Sequence, residues 1–358
     1  MKIFYDHQVF NLQKYGGASK YFFKLIENFS ENIDPLIISL FYKNLYLNEV
    51  KKRKTIIQYK NDIPVLGHFI KFLNKKYFNY NLKYNKPDIV HYTYFNERNL
   101  YKSKVKKIIT EYDLIKEKFY TKDYFEEIEF KKEFYQNVDQ IICISENTKK
   151  DLIEYYKIDE KKIVTIHLGI DDDRNFNEKK IDTKPYILFV GSRSRYKNFF
   201  NFVKAYSNSK NIQSNFNIIC FGGGNFTNVE KKFLKDLKIL ENIFYFEGND
   251  YDLNFFYKTA RMFIFPSLYE GFGLPILEAM NMSCPVACSK TSSFLEVGNE
   301  AVVYFDPNSV DSIKNALEQN IFDDQKISAI KLKGLDNIKN FRWKDCAKKT
   351  EIVYKKIL

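Results

Sequence analysis

Residues 265–280 of the chain are FPSLYEGFGLPILEAM. The apolar run MFIFP at the start of this region predicts a buried strand, which ends at a loop containing Gly271 and Gly273. Pro275 then stands where a helix would begin, a position that proline prefers. The N–H groups of residues 272–276 would lie unpaired at the start of this helix, and such a terminus binds diphosphate. The stretch therefore predicts a strand, a glycine loop and a helix with an anion-binding end.

Two carboxylates frame this loop. Glu270 precedes the predicted helix, and Glu278 lies about one turn inside it. Both side chains can therefore face one crevice from different depths. The alternative is a simple glycine turn with two surface glutamates, because glycine-rich turns are common.

Strands and helices alternate along both halves of the chain. Segments rich in Ile, Val and Phe, such as DIVHYTYF, DQIICIS and YILFVGS, are predicted strands separated by helices, which indicates parallel sheets covered on both faces. A length of 358 residues suits two domains better than one core. We predict an α/β protein with a first domain over 1–172 and a second over 173–342, joined through a polar linker over 171–185. A helix over 343–358 is expected to cross back to the first domain.

The net charge of +12 is dense in the first half, at 51–54 (KKRK) and 102–107 (KSKVKK). Nucleic acid, an anionic membrane or a phosphorylated substrate could each explain it, as could a solvated basic surface. No nucleic-acid-binding motif is present, so we expect no nucleic-acid partner. The segment 65–78, VLGHFIKFLNKKYF, fits either a basic amphipathic helix on an anionic membrane or a buried domain helix.

The compartment is predicted from what the sequence lacks. Five cysteines are scattered without metal-ligand spacing, and Asp6 and His7 interrupt the region where a signal peptide would be apolar. No stretch of 18 apolar residues occurs. We therefore expect a cytoplasmic protein without a membrane-spanning helix.

The segment EGFGLPILE, in which seven residues separate two glutamates, resembles the donor-site motif of the retaining GT-B glycosyltransferases of family GT4. YILFVGSRSRYKNF resembles the strand, loop and basic pair of this family, and YGGASKYFFKL resembles its N-terminal glycine loop. The resemblance covers nearly the whole chain and is weakest over 41–85. It implies two Rossmann-like domains facing across a cleft, and transfer of a hexose from a nucleotide diphosphate sugar to a glycan or lipid-linked oligosaccharide. SRSRYKNF is similar to segments of mannosyltransferases that assemble surface polysaccharides, which favours GDP-mannose and an O-antigen or capsule.

The resemblance also implies roles for individual residues. Glu278 matches the carboxylate that binds the ribose, and Glu270 matches the one that holds the donor-sugar hydroxyls. Lys197 and Arg193 match the basic pair that neutralises the diphosphate, with Arg195 as the alternative to Arg193. The remaining donor-side residues are the backbone donors Phe272, Gly273 and Leu274, the first-domain glycines Gly16 and Gly17, and the glycines Gly222, Gly223 and Gly224, which either shape a loop near the base or form a simple turn.

Tyr112 and Asp113 stand where the family usually has His-Asp, so the usual histidine is absent. Tyr112 can donate a hydrogen bond but cannot become cationic. His91 is a candidate replacement on the acceptor side, with a structural histidine as the alternative. We expect front-face substitution through an oxocarbenium-like ion pair, while a double displacement with Asp113 as nucleophile stays open.

A metal and a cofactor are not expected, because the basic pair and the helix terminus can neutralise the leaving diphosphate. Asp171–Asp173 resembles a metal-binding Asp-x-Asp only superficially, since it lies in the predicted linker. Two other functions remain open at this point. One is a sugar-nucleotide epimerase or phosphorylase with the same fold, and the other is a non-enzymatic basic protein that binds a membrane surface or nucleic acid.

Overall fold

A computed structural model describes residues 1–50, 53–59, 67–95 and 104–358. They form two compact units, one comprising Met1–Gly169 with Arg342–Leu358 and the other comprising Ile170–Phe341. Parts of the basic segments 51–54 and 102–107 lie outside the described residues, as do Val65 and Leu66 of the predicted amphipathic segment.

The first unit is built on a parallel sheet, for which the described residues supply seven strands. These are β1 (Lys2–Tyr5), β2 (Asp34–Tyr42), β3 (Arg53–Gln58), β4 (Ile89–Tyr92), β5 (Lys106–Glu111), β6 (Gln140–Cys143) and β7 (Ile163–Thr165). Their order across the sheet is β3-β2-β1-β4-β5-β6-β7. The helices of this part are α1 (Gln8–Leu12), α2 (Gly17–Asn28), α3 (Gly67–Asn85), α4 (Ile115–Phe119), α5 (Phe125–Gln136) and α6 (Glu146–Tyr156).

The second unit repeats this plan with six parallel strands. These are β8 (Tyr186–Val190), β9 (Asn217–Phe221), β10 (Ile243–Phe246), β11 (Met262–Phe265), β12 (Val286–Ser289) and β13 (Val303–Phe305), in the order β10-β9-β8-β11-β12-β13. Its helices are α7 (Phe199–Ser207), α8 (Lys210–Asn215), α9 (Asn228–Asp236), α10 (Asp250–Thr259), α11 (Leu274–Asn281), α12 (Phe294–Gly298), α13 (Val310–Ile321) and α14 (Asp324–Asn337).

The predicted α/β class with parallel sheets is confirmed. Every residue of β4, β11 and β12 is buried, as expected for strands covered by helices on both faces. In each sheet the strand order reverses once, between β1 and β4 and between β8 and β11. Ligands of open parallel sheets bind at the carboxyl ends of the strands beside such a reversal, which fixes where to look for a site.

The last helix, α15 (Trp343–Ile357), packs against α2 in the first unit. The hydroxyl groups of Tyr354 and Tyr5 lie 2.7 Å apart, and Glu351 accepts hydrogen bonds from the backbone and side chain of Ser30. A Cβ atom on Gly169 would lie 2.2 Å from the backbone nitrogen of Trp343. The backbones therefore touch where the chain leaves this unit and where it returns.

The polar interval 171–185 forms neither helix nor strand and is held against the second unit. The Asn281 side chain donates to the carbonyl oxygens of Asp171 and Asp173, at 3.1 Å each. Lys179 forms an ion pair with Asp252 at 3.0 Å. The interval is thus fixed along this unit by specific polar contacts.

Candidate functional site

The loops that follow β8 and β11 carry most of the predicted site residues of the second unit. These two strands are neighbours at the reversal of strand order, so their carboxyl ends open side by side. The loops are joined directly, because the backbone N–H of Leu268 donates to the carbonyl oxygen of Tyr196 at 2.7 Å. Asn198 strengthens the junction by donating to the Pro266 carbonyl at 3.1 Å. Segments about 70 residues apart in sequence therefore form one surface.

Lys197 and Glu270 meet on this surface. The Lys197 ammonium lies 2.6 Å from Glu270 Oε1, and their side chains are only 15% and 13% exposed. Ser267 donates a second hydrogen bond to the same carboxylate oxygen at 2.7 Å. The pair is therefore held in place with its charges compensated, at the edge where a ligand of this fold is bound.

Helix α11 begins beside this ion pair. Gly273 precedes it with φ of +107°, in the left-handed region, and a Cβ atom there would lie 3.2 Å from the Phe294 ring. The expectation of unpaired N–H groups over 272–276 needs correction. Pro275 has no N–H, and the Ile276 N–H donates to the Gly273 carbonyl at 2.9 Å. In the described residues, the helix terminus therefore leaves the N–H groups of Gly273 and Leu274 for an anion.

Phe272 lies just before this terminus, buried, with its ring centroid 6.0 Å from that of Phe341. The Ser293 hydroxyl lies 2.8 Å from the Phe272 carbonyl oxygen and 2.9 Å from the Glu270 carbonyl oxygen, so its one proton is shared between the two. The Ser293 side chain thus holds the loop between β11 and α11 in place.

Glu278 lies in the second turn of α11 and is partly exposed. The buried Tyr257 hydroxyl donates to Glu278 Oε2 at 3.4 Å. Burial, and then the charge of Glu278, raise the pKa of Tyr257 well above its ordinary value. The phenol therefore stays protonated, and it orients the carboxylate at neutral pH.

Arg193 and Arg195, the two arginines considered for the diphosphate, occupy different environments. Arg193 is buried, and its guanidinium is engaged by Glu230 and by the carbonyl oxygens of the loop over 222–225. Arg195 is exposed, and its side chain has no ion pair or hydrogen bond in the part of the chain that the structure describes. Of the two side chains, Arg195 is the one open to a ligand.

In the first unit, Gly16 and Gly17 lie at the start of α2, in the segment that follows β1 and α1. The Gln13 side chain closes this loop, since its Oε1 accepts the Ser19 N–H at 3.1 Å. A Cβ atom on Gly16 would lie 2.3 Å from Gln13 Oε1. A larger residue at this position would therefore displace the carboxamide that holds the Ser19 N–H.

Tyr112 and Asp113 follow β5 directly. The Tyr112 hydroxyl is buried, with no hydrogen-bond partner among the described residues, and burial raises its pKa well above the ordinary value. Burial likewise raises the pKa of Asp113, whose carboxylate accepts the Ile115 N–H at 2.9 Å.

His91, considered above for the acceptor side, lies in the core of the first unit. It is fully buried, with Nδ1 at 2.6 Å from the Tyr354 hydroxyl and Nε2 at 2.9 Å from Thr110 Oγ1. Burial lowers its pKa to about 3, so the ring is neutral. These contacts support the alternative of a structural histidine that braces α15.

In the described residues, no group of three or more His, Cys, Asp or Glu side chains converges as a metal site would require. The carboxylate of Asp172 pairs with Arg174 at 3.2 Å, and that of Asp173 accepts the Asn175 N–H at 3.0 Å. All five cysteines are buried and none forms a disulfide. The independence of a metal stays a prediction.

Sequence reasoning missed the residues that support these side chains. The spacing Thr227-x-x-Glu230 is readable as a capping box, which the structure contains at the start of α9. Ser267 precedes Glu270 by three residues and had no distinguishing signal. Tyr257 lies on a different helix from Glu278, so only the tertiary structure brings the two together.

Two family models of known proteins match the chain, one in each half. The family model described as "Glycosyl transferases group 1" matches residues 171–333, and the model described as "Glycosyltransferase Family 4" matches residues 15–174.

Two curated relatives are bacterial. The O-antigen chain mannosyltransferase B of Escherichia coli is 30% identical over 228 residues, which are 60% of this chain and 60% of that protein. The O-antigen chain mannosyltransferase RfbU of Salmonella typhimurium is 28% identical over 182 residues, 50% of each chain. The chain thus spans between half and two thirds of these relatives.

Among solved structures, Anabaena HepE in complex with UDP and glucose superposes with a TM-score of 0.76 at 12% identity, covering 99% of both chains. At this identity the likeness shows the fold alone.

Proposed function

The chain belongs to glycosyltransferase family 4, whose members have the GT-B fold, and on that premise we propose that it transfers a hexose from a nucleotide diphosphate sugar to a glycan or glycolipid acceptor. The observation that carries the proposal is the cluster formed by Lys197, Glu270 and the terminus of α11 at the reversal of the second sheet. A cation, a carboxylate and two backbone N–H groups are what a sugar diphosphate needs at one surface.

We assign the roles as follows. The N–H groups of Gly273 and Leu274, with Lys197 and Arg195, bind the diphosphate. Glu270 binds hydroxyl groups of the donor sugar. Glu278 binds the ribose hydroxyls, with Tyr257 holding the carboxylate.

The reaction breaks the bond between the anomeric carbon and the diphosphate oxygen and forms one between that carbon and an acceptor hydroxyl. Negative charge develops on the leaving diphosphate, where preorganised cations and N–H groups stabilise it most. A leaving phosphate oxygen takes the proton of the acceptor hydroxyl on the same face, so the anomeric configuration is retained. We favour this path over a double displacement because the leaving phosphate itself serves as the base, so that no carboxylate nucleophile is needed.

For the donor we propose GDP-mannose and, for the acceptor, an O-antigen or capsule glycan of a bacterium. Two observations support this choice. The SRSRYKNF segment is similar to segments of mannosyltransferases, and both bacterial relatives are O-antigen mannosyltransferases by name.

A turnover screen across GDP-, UDP- and ADP-sugars in excess chelator tests the function and its independence of a metal together. We expect release of the nucleoside diphosphate from one donor, dependent on a glycan acceptor and undiminished by the chelator, because Lys197, Arg195 and α11 bind the diphosphate themselves. Activity lost in chelator and restored by magnesium or manganese would contradict the metal independence. Conversion of the donor without an acceptor would instead favour an epimerase.

We also propose that α3 binds an anionic membrane, where a lipid-linked acceptor would lie. In the described residues, no helix is long and apolar enough to cross a bilayer. One side of α3 is anchored in the first unit, since Asn74 Oδ1 accepts the N–H groups of Leu40 and Phe41 and Phe78 is fully buried. These contacts support the packed domain helix for one side of α3, and the membrane proposal concerns the other side.

The other side of α3 presents large aromatic side chains to solvent. These are Phe69, Phe72, Tyr80 and Tyr84, which are 54–61% exposed. Lys76 Nζ lies 5.5 Å from the Phe72 ring, and Lys83 Nζ lies 5.3 Å from the Tyr84 ring. Their spacing along the helix places aromatic rings and lysines on one stripe, as in helices that lie in a membrane interface.

We expect the protein to co-sediment with vesicles of phosphatidylcholine and phosphatidylglycerol at low salt, and the double change Phe69→Ser with Phe72→Ser to weaken this binding. Complete burial of one Phe is worth about 1.5–3 kcal/mol, so the loss should be at least about tenfold. Leu332→Ser is the matched control, because Leu332 is 69% exposed on α14 of the second unit. Equal binding by both variants, or no binding by the unmodified protein, would refute this role of α3.

A further inference from the structure

Arg193 follows β8, and its side chain is enclosed by the loop that follows β9. Its Nε donates to Glu230 Oε1 at 2.8 Å, its Nη1 to the Gly222 carbonyl at 3.4 Å, and its Nη2 to the Gly224 and Asn225 carbonyls at 2.7 and 3.0 Å. The side chains of Arg193 and Glu230 are 3% and 9% exposed. All three guanidinium nitrogens are therefore committed inside the second unit.

Glu230 cannot be displaced without disrupting α9. Its Oε2 accepts hydrogen bonds from the N–H and hydroxyl of Thr227, at 2.7 and 2.9 Å, in the capping box that begins this helix. A phosphate that took the place of Glu230 on Arg193 would leave a nearly buried carboxylate without its cation, which is costly. Arg193 is thus unsuited to bind the donor diphosphate in this arrangement.

The loop that Arg193 binds consists of three consecutive glycines, Gly222, Gly223 and Gly224, with φ of +75°, +75° and +80°. Gly223 also touches the loop after β8, because a Cβ atom there would lie 2.4 Å from the Gly191 carbonyl oxygen. Such a chain has no side chains of its own to fix it, and Gly223 and Gly224 are exposed. The Gly222 N–H donates to the Phe246 carbonyl at 2.9 Å, and the carbonyl contacts of Arg193 add a restraint from a side chain.

We propose that Arg193 is a positioning residue, which holds the Gly222–Gly224 loop at the carboxyl end of β9 as a side-chain-free surface for the nucleoside part of the donor. The diphosphate is left to Arg195 and Lys197. The inference rests on the proposed function, because it names a residue that shapes the same donor site.

Binding of separate donor fragments by titration calorimetry tests the proposal. The probes are whichever of GDP, UDP and ADP the unmodified protein binds most tightly, its parent nucleoside, and inorganic pyrophosphate. Arg193→Met should weaken binding of the nucleoside and of the nucleoside diphosphate by about tenfold or more. It should change the affinity for pyrophosphate by less than about twofold. Arg195→Ala should have the opposite effect, weakening the binding of pyrophosphate and leaving the binding of the nucleoside unchanged.

Arg193→Lys keeps the charge but cannot reach Glu230 and the loop carbonyls together, so it should fail to restore nucleoside binding. If Arg193→Met does not fold, Glu230→Gln provides the second variant. It should weaken the binding of the nucleoside and leave the binding of pyrophosphate unchanged. Rescue by Arg193→Lys, or loss of pyrophosphate binding with intact nucleoside binding in either variant, would overturn the inference by itself. An unmodified protein that binds none of the three nucleoside diphosphates would overturn the proposed function, and this inference with it.

Discussion

Replacing Lys197 with alanine is expected to lower kcat/KM about 30- to 1,000-fold, which corresponds to about 2–4 kcal/mol of transition-state stabilisation. Lys197 is held by its 2.6 Å pair with Glu270, which lies in the loop that leads into α11. The ammonium also lies 5.2 Å from the ring centroids of Phe265 and Tyr196, as in cation–π contacts. A charge held this way needs no reorganisation when the diphosphate departs.

The control for this variant is Lys232→Ala. Lys232 is exposed on α9 and forms no ion pair among the described residues, so its loss removes one positive charge without touching the site. Lys197→Ala also leaves Glu270 without its partner, so thermal unfolding must be measured alongside turnover. A Lys197→Ala enzyme that is folded and retains the kcat/KM of Lys232→Ala would contradict the role of Lys197.

The sequence could predict the relative placement of candidate residues that share one short segment or lie at adjacent strand ends. Glu270, Gly273 and Glu278 lie within one strand, loop and helix, so their relative placement follows from local geometry. Lys197 could be added because the carboxyl ends of neighbouring parallel strands open at the same edge.

The choice between Arg193 and Arg195 could not be made in this way. Both lie in one loop two residues apart, and burial of Arg193 depends on Glu230, which is 37 residues away along the chain. For His91, the structure supports the alternative of a structural histidine for a different reason. It lies within β4, where every residue is buried, so an interior position was more informative than the residue type.

Substitutions at Glu270 and at Glu278 are expected to change different kinetic parameters. The ribose that Glu278 binds changes little during reaction, so its loss removes binding shared by the ground and transition states. The sugar ring that Glu270 contacts changes in geometry and charge as the anomeric bond breaks, so its loss removes interactions that strengthen in the transition state. Glu278→Ala should therefore raise the donor KM, while Glu270→Ala should lower kcat.

Substitutions at the two positions should also differ in their effect on the stability of the protein. Glu270 is paired with Lys197 and bonded to Ser267, whereas Glu278 has the longer contact with Tyr257. Alanine at Glu270 leaves a nearly buried ammonium without its carboxylate, so we expect this variant to unfold at a lower temperature. Glutamine is the matched replacement at both positions, because it keeps the shape and can still accept from Ser267 or Tyr257.

We expect Glu270→Gln to lower kcat at saturating donor by about 100-fold, within the range for losing one preorganised charge-stabilising group. Glu278→Gln should raise the donor KM by about tenfold or more, since a hydrogen bond to a charged group is worth about 1.5–3 kcal/mol. Inhibition by the product nucleoside diphosphate separates the roles further, because it should weaken in Glu278→Gln and stay nearly unchanged in Glu270→Gln. NMR of the product should show the anomeric configuration of the donor in both variants. A larger kcat defect in Glu278→Gln than in Glu270→Gln, or an inverted product anomer, would show that these carboxylates are wrongly assigned.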